Sequence, residues 1–405
     1  MPSSPTNAPP SASAPPGTTR EVLLAFLKLG LTAFGGPVAH LGYFRTEFVE
    51  RRAWLDERRY ADLVALCQFL PGPASSQVGM ALGLQRAGWA GALAAWLGFT
   101  LPSALALVLF AYGVAEWSAL AESGAVRGLK LVAVAVVAQA VWAMGRSFCS
   151  ERRRAAIACA AALLALAWPG SAVQIGAILL GGLLGHRLLQ APVHGAGFSA
   201  AVIGPRAGAR LLGAFFALLL LLPLAAALWP SLPLQAFTAF FQAGSLVFGG
   251  GHVLLPLLQA GVVPPGWVSQ EVFLAGYGAA QAVPGPLFTF AAFLGASLPA
   301  PWGGWGGGLL MLLAIFLPAF LLVAGALPYW EALRQRAGAQ QALAGVNAAV
   351  VGVLAAALWQ PVARSAIHSF TDLALALAAF ALLVAARWSP LRVVLLSASV
   401  GWVLF

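Results

Sequence analysis

Charge is what this 405-residue chain has least of. Asp, Glu, Lys and Arg together make 8% of it and hydrophobic residues 61%. A soluble domain carries about a quarter charged residues, so a water-facing globular fold is excluded and the lipid bilayer is the expected solvent. Lysine occurs only as Lys28 and Lys130. All 12 Asp and Glu fall in loops or at the edges of apolar segments, including Glu21, Asp62, Glu271 and Asp372. A cation pump or carboxylate relay places such a group at membrane depth. Its lack, beside two cations in or at the edge of apolar segments, argues for an anionic substrate. The three cysteines, Cys67, Cys149 and Cys159, show no metal-ligand spacing and read as reduced packing residues. No nucleotide loop or catalytic triad is present. The glycine string from Gly303 to Gly308 falls in a loop, not between strand and helix. Neither a cofactor nor an enzyme activity is expected.

The net charge of +10 does not call for nucleic acid. The arginines sit in short loops between apolar spans, as in cytoplasmic loops of membrane proteins. Residues 1–19 are rich in Pro, Ser and Ala with no apolar run, and read as a disordered tail rather than a signal peptide.

What the chain does have is a repeat. Phe34-Gly35-Gly36-Pro37, with His40 behind it, is followed by Trp54 and Gln68-Phe69-Leu70-Pro71-Gly72-Pro73. Phe248-Gly249-Gly250-Gly251-His252 is followed by Trp267 and Gln281-Ala282-Val283-Pro284-Gly285-Pro286. From Phe to the first Pro of the PGP tripeptide is 37 residues in one copy and 36 in the other. Leu101-Pro102 matches Leu317-Pro318, Gly128 matches Gly345, and Trp142 matches Trp359. Such duplication in an apolar chain points to a transporter of two similar halves with its site between them.

Thirteen apolar segments are legible, with approximate bounds 22–43, 60–85, 88–115, 125–145, 155–168, 171–189, 209–229, 234–258, 271–297, 303–328, 340–359, 370–386 and 390–405. If all cross, the Arg-rich loops 45–59 and 152–154 fall on opposite sides, against the positive-inside rule. If the FGG and PGP segments instead dip in and return, each arm is roughly 12 residues or 18 Å, a half-span. The arginines then gather on one side, with Arg364 outside. Five crossings separate the copies, which makes them inverted. The expected fold is an all-α integral membrane protein of two inverted repeats. Each has two re-entrant helical hairpins and about four transmembrane helices, and a linker helix joins them. The divisions are a tail 1–19, a first repeat 20–190, a linker 191–233 with one crossing, and a second repeat 234–405. The N-terminus is expected to be cytoplasmic.

Broken helices at membrane depth are tolerated where they line a polar cavity. Helix starts after the breaks aim N–H groups and a positive dipole end there. Ser75, Ser76 and Gln77 after Pro73, and Thr289 after Pro286, are candidate donors to an anion. Lys28, with Lys130 nearby, is the candidate compensating charge, and Gln242 and Asn347 are their partners in the repeat. His40 and His252 could bond an oxyanion, carry a proton, or be satisfied interior residues. Trp54 and Trp267 read as interface anchors.

These four motifs, in order and duplicated with matching Trp residues, resemble the chromate ion transporter family in its two-domain form. The resemblance covers roughly Arg20 to Trp142 and Leu234 to Trp359. It implies chromate efflux across a bacterial inner membrane, chromate resistance, sulfate as the isosteric competitor, a drive from membrane potential or proton gradient, and homologous halves of opposite orientation. The departures, Pro37 against Gly251, Lys28 against Gln242 and Ser75-Ser76 against Phe288-Thr289, suggest that the first half carries most anion affinity. The expected site is Lys28, Phe34, Gly35, Gly36, Pro37, His40, Gln68, Pro71, Gly72, Pro73, Ser75, Ser76, Gln77 and Lys130 from the first repeat. From the second it takes Phe248, Gly249, Gly250, Gly251, His252, Gln281, Pro284, Gly285, Pro286, Thr289 and Asn347. A transporter or channel for sulfate or another anion, and an intramembrane enzyme, stay open as alternatives. A homodimer is also left open.

Overall fold

A computed structural model describes residues 17–116, 124–168, 170–190, 203–248 and 250–404. Gly249, most of the expected tail and residues 191–202 of the expected linker lie outside the described residues. Within them the chain is helical and without strands.

The first copy opens with α1 (Thr19–Thr32), capped by the Thr18 hydroxyl. The chain breaks and resumes as α2 (Gly36–Phe44), which runs into a π-helical turn, Arg45–Arg51. Next come α3 (Glu57–Phe69), whose start the Asp56 side chain caps, the PGP break, and α4 (Ala74–Glu116). α4 has two limbs, because Ala87 and Gly88 leave helical geometry and turn the chain back. Gly83 and Gly91 meet there without side chains between them. Then follow α5 (Gly124–Phe148), α6 (Arg152–Ala167) and α7 (Ser171–Leu188).

A connecting helix, α8 (Pro205–Leu228), is very apolar and almost wholly exposed. The second copy repeats the plan. α9 (Leu232–Leu246) ends at the FGG break, and a 3-10 turn leads into α10 (Leu254–Val262). α11 (Gln270–Ala280) ends at the second PGP break, and another 3-10 turn leads into α12 (Phe290–Ala296). α13 (Gly304–Ala326) and α14 (Ala337–Ala357) follow, then α15 (Phe370–Val384) and α16 (Pro390–Leu404). The contact of Gly295 with Gly307 reproduces that of Gly83 with Gly91.

Among the described residues, five helical stretches are long and apolar enough to cross a membrane. Exposed leucines such as Leu105, Leu109, Leu220 and Leu313 cover outer faces of these stretches, and Leu179 and Leu183 that of the shorter α7. The protein is a multi-pass membrane protein, since this much exposed apolar surface is stable only against lipid.

The copies interlock reciprocally. α5 of the first copy packs on α15 and α16 of the second, and α14 of the second packs on α6 and α7 of the first. Gly128 lets α5 touch the Ser397 carbonyl, and its match Gly345 lets α14 touch the Gly181 carbonyl.

The ends of the first broken pair meet. The Gly17 N–H donates to the Arg86 carbonyl at 2.9 Å. Arg86 Nη2 reaches Glu21 at 3.2 Å, and Trp54 Nε1 donates to the same carboxylate at 3.1 Å. The start of α1, the loop after the π turn and the end of the first α4 limb thus share one level. In the second copy Gly261, near the end of α10, lies against Ala239 of α9.

Candidate functional site

Each break is built on a glycine that only a residue without Cβ tolerates well. Gly72 has φ 121° and its match Gly285 has φ 92°, in the left-handed region open to glycine at little cost. The breaks are cross-wired. The Gly72 N–H donates to the Val247 carbonyl at 2.7 Å, and the Gly285 N–H donates to the Ala33 carbonyl at 2.9 Å. Each PGP break therefore bonds the FGG break of the other repeat. These two rungs satisfy backbone groups that would be costly if buried unpaired.

Two cavities flank the rungs. The first, about 330 Å³, lies under the second PGP break. Its lining includes Gly35, Gly36, Pro37, Gln139, Gly250, Gly251, His252, Gln281 and Gly285. The second, about 530 Å³, lies under the first PGP break, with Asp62, Cys67, Gln68, Gly72, Gln340 and Asn347 in its wall. Pro37, Gly250 and Gly251 border both. Gln281 in one occupies the position of Gln68 in the other, so the cavities are counterparts under the internal repeat.

No Lys or Arg lines either cavity among the described residues. Polar character comes from amides and helix starts. The Gly36 start of α2 and the turn beginning at Gly251 both open on the first cavity. The Gln281 Nε2 is buried there without a hydrogen-bond partner, and the Asn347 Oδ1 is likewise unpartnered at the second. His252 Nδ1 stands 2.9 Å from the Tyr277 hydroxyl. A cavity of neutral donors and helix N-termini can hold an anion without a formal counter-charge.

The breaks and their glycines come together as expected, but several side-chain assignments need correction. Lys28 lines neither cavity. It points to the charged end of the first hairpin, half-exposed, 3.5 Å from Glu47. Glu47 also takes Arg51 at 2.7 Å and Arg52 at 2.8 Å. The sequence could not show that a loop carboxylate folds back to within reach of Lys28. Lys130 lines neither cavity and lies within electrostatic reach of Glu271 and Arg127.

Gln77 Nε2 donates to the Pro71 carbonyl at 2.8 Å and Thr289 Oγ1 to the Pro286 carbonyl at 2.8 Å. First-turn side chains reach back to the carbonyls the break has freed, so these residues brace the breaks. Ser75 faces His40 Nδ1 at 3.3 Å, and Ser76 is buried away from both cavities. Phe34, Phe248 and the prolines Pro71, Pro73, Pro284 and Pro286 shape the breaks without lining either space. Trp54 is not an interface anchor. It is buried, stacked on Phe48, with Arg86 5.2 Å from its ring. Asp62 is not at a segment edge either, because α3 begins at Glu57 and carries it into a cavity wall.

Sequence reasoning missed Gln139, a single amide in the apolar run of α5, which lines the first cavity. It also missed the pair Arg127 and Asp372. Arg127 donates to the fully buried carboxylate from Nε at 3.0 Å and from Nη2 at 2.9 Å. A basic residue inside an apolar segment was the available signal.

An all-helical membrane protein with duplicated helix breaks around polar cavities belongs to the class of transporters, not enzymes. The chain belongs to the chromate transporter family, whose model matches residues 20–186 and 234–402. A chromate transport protein of Pseudomonas aeruginosa is 31% identical over 371 residues, which is 88% of this chain and 84% of that one. A probable chromate transport protein of Synechococcus elongatus is 29% identical over 350 residues, 85% of this chain and 84% of its own. An uncharacterized transporter of Methanocaldococcus jannaschii is 25% identical over 399 residues, 95% and 94% of the two chains. No solved structure matches the chain.

Proposed function

We propose that this protein carries chromate out of the cell across a bacterial inner membrane, with the oxyanion bound in the first cavity. The observation that carries the site is the buried, unpartnered Gln281 Nε2 beside two helix starts in a space without carboxylates. The Gly36 and Gly251 N-termini, Gln139, Gln281 and His252 hold the anion. The second cavity, with Asp62 in its wall, is the counterpart that opens toward the other side. The family and the chromate transport proteins above support the substrate.

The FGG and PGP segments are read as re-entrant hairpins in inverted repeats. The shared level of Glu21, Trp54 and Arg86 supports the return of the first pair. The arginine distribution supports a cytoplasmic N-terminus. The reciprocal rungs and packing support a two-fold relation, and rocking of one half against the other would expose the site alternately. Outward movement of a dianion gains roughly 2.3 kcal/mol per charge per 100 mV of inside-negative potential.

The test is radiolabelled chromate uptake into everted vesicles at controlled potential, with and without excess sulfate. Saturable, potential-dependent uptake is expected. Sulfate movement without chromate uptake would keep the anion site and overturn the substrate.

A further inference from the structure

Behind the first cavity lies a second polar feature. His40, Ser75, Ser76, Gln77, Thr100 and Ser103 are each at most 3% exposed. The contact of Gly83 with Gly91 sets the register of the two α4 limbs. That register sets Ser75 level with Phe99 and Ala74 level with Thr100. His40 touches both limbs, with Nδ1 3.3 Å from Ser75 Oγ and its ring 5.1 Å from that of Phe99. Four atoms of the group have no hydrogen-bond partner: His40 Nε2, Ser76 Oγ, Gln77 Oε1 and Thr100 Oγ1. Buried polar atoms left unpaired are costly and call for an explanation.

The second repeat shows that the fold does not need them. The matching positions are Leu254, Phe288, Thr289, Phe290, Phe316 and Ala319, all buried. Only Thr289 among them is polar, and its hydroxyl is bonded.

We propose that His40 is a proton-binding site whose occupancy is coupled to that of the anion cavity. The proton goes to Nε2, a buried ring nitrogen without a hydrogen-bond partner. A proton needs no space in so close-packed a group. The link to the cavity is short. Ala33, at the break that precedes the helix of His40, accepts the Gly285 N–H across the repeats at 2.9 Å. Gly285 lines the anion cavity and packs on Ser103 Oγ and the Phe99 carbonyl.

A dianion in that cavity favours an imidazolium behind it, and by reciprocity the proton favours the anion. The pair then moves as one net negative charge instead of two, so outward movement remains favoured by the potential with half the drive. Other titratable groups near α2 are placed differently. On α3, the Tyr60 hydroxyl bonds the Leu41 carbonyl and Asp62 shares the second cavity wall with Leu41. Arg45 and Glu47, with Lys28, Arg51 and Arg52, lie beyond the far end of α2, and Arg86 of α4 is against Glu21.

This inference rests on anion transport through the first cavity. The experiment measures chromate uptake into proteoliposomes at alkaline pH, with the potential clamped at zero and an inward proton gradient imposed. The gradient is expected to drive accumulation by the wild type. His40→Gln should lose that component by about tenfold relative to its potential-driven uptake. Wild-type uptake that follows potential but ignores the gradient, or full gradient drive in His40→Gln, would overturn the proton site and leave the transport reading intact. No wild-type uptake under either drive would overturn the transport reading.

Proton uptake on adding chromate to detergent-solubilised protein, with the anion's own titration subtracted, gives a second readout that needs no transport. It should be present in the wild type and absent in His40→Gln, and its absence from the wild type would also overturn the proposal. Should His40→Gln fail to accumulate, Ser75→Ala, which removes the hydroxyl 3.3 Å from His40 Nδ1, takes its place in both assays, with a reduced proton response expected and an unchanged one counting against the site.

Discussion

The two repeats share a backbone plan down to single hydrogen bonds, yet their interiors are chemically different. Gly72 to Val247 and Gly285 to Ala33 are counterparts, as are Gly128 and Gly345 at the swapped helix contacts. Behind the breaks the first repeat packs His40, Ser75, Gln77 and Thr100, where the second packs Leu254, Phe288, Phe290 and Phe316. The charged end of the first hairpin, around Glu47, has the uncharged Gln242 and Gly261 as its counterpart. Break glycines and close helix crossings fix the architecture and tolerate no Cβ, so both copies keep them. The side chains between them are free to specialise, and behind the breaks the first repeat is polar where the second is apolar.

The largest expected effect tests an element found on one side only. Arg127→Ala leaves the buried Asp372 carboxylate with only the His368 and Ser369 N–H groups, and each of the two hydrogen bonds lost to a charged group is worth about 1.5–3 kcal/mol before discounting for the part-exposed guanidinium. A sharp fall in melting temperature in detergent, with partial recovery when Asp372→Asn is added, is expected. Unchanged melting would mean that the pair carries no stability.

Next in size is the comparison of paired amides. Gln281→Leu removes a donor aimed at a charged substrate, worth about 1.5–3 kcal/mol or roughly 10- to 150-fold in apparent chromate affinity. Gln68→Leu, its counterpart, should cost much less, and equal losses would move the anion to the space between the cavities.

Lys28→Ala should leave chromate affinity nearly unchanged, since Lys28 lies on the charged end with Glu47 and lines neither cavity. A loss as large as that of Gln281→Leu would return the compensating charge to Lys28.

The smallest effect is pH dependence at that charged end. Burial raises the pKa of Glu47, but hydrogen bonding from Arg52 and the charges of Lys28, Arg52 and Arg51 outweigh it and hold the carboxyl below its usual range. A lowered folded-state pKa stabilises above the unfolded value of about 4.3 and is lost as pH falls through the folded value. The wild-type melting temperature should therefore drop more steeply on acidification than that of Glu47→Gln, and parallel curves would remove the assignment.

Much of the fold was legible. The apolar segments anticipated nearly every helix, because a bilayer-length apolar run has few alternatives to a helix. Gly and Pro marked all four breaks, because positive φ and a missing N–H interrupt helices locally. The cavity glycines and Gln281 followed from those motifs. Lys28 did not, because a buried-looking cation and a loop carboxylate 19 residues away can be paired only once the hairpin closes. Ser75 and Gln77 were wrongly aimed for a similar reason, since whether a first-turn side chain faces a cavity or its own break depends on helix rotation.

Sequence by itself determined the solvent, the duplication and the places where helices stop, all set by composition and local backbone chemistry. Tertiary structure alone decided which break bonds which, which helices exchange between the repeats, and which polar groups meet. Those depend on contacts between residues far apart in the chain, such as Arg127 with Asp372, 245 positions apart, and no local pattern encodes their approach.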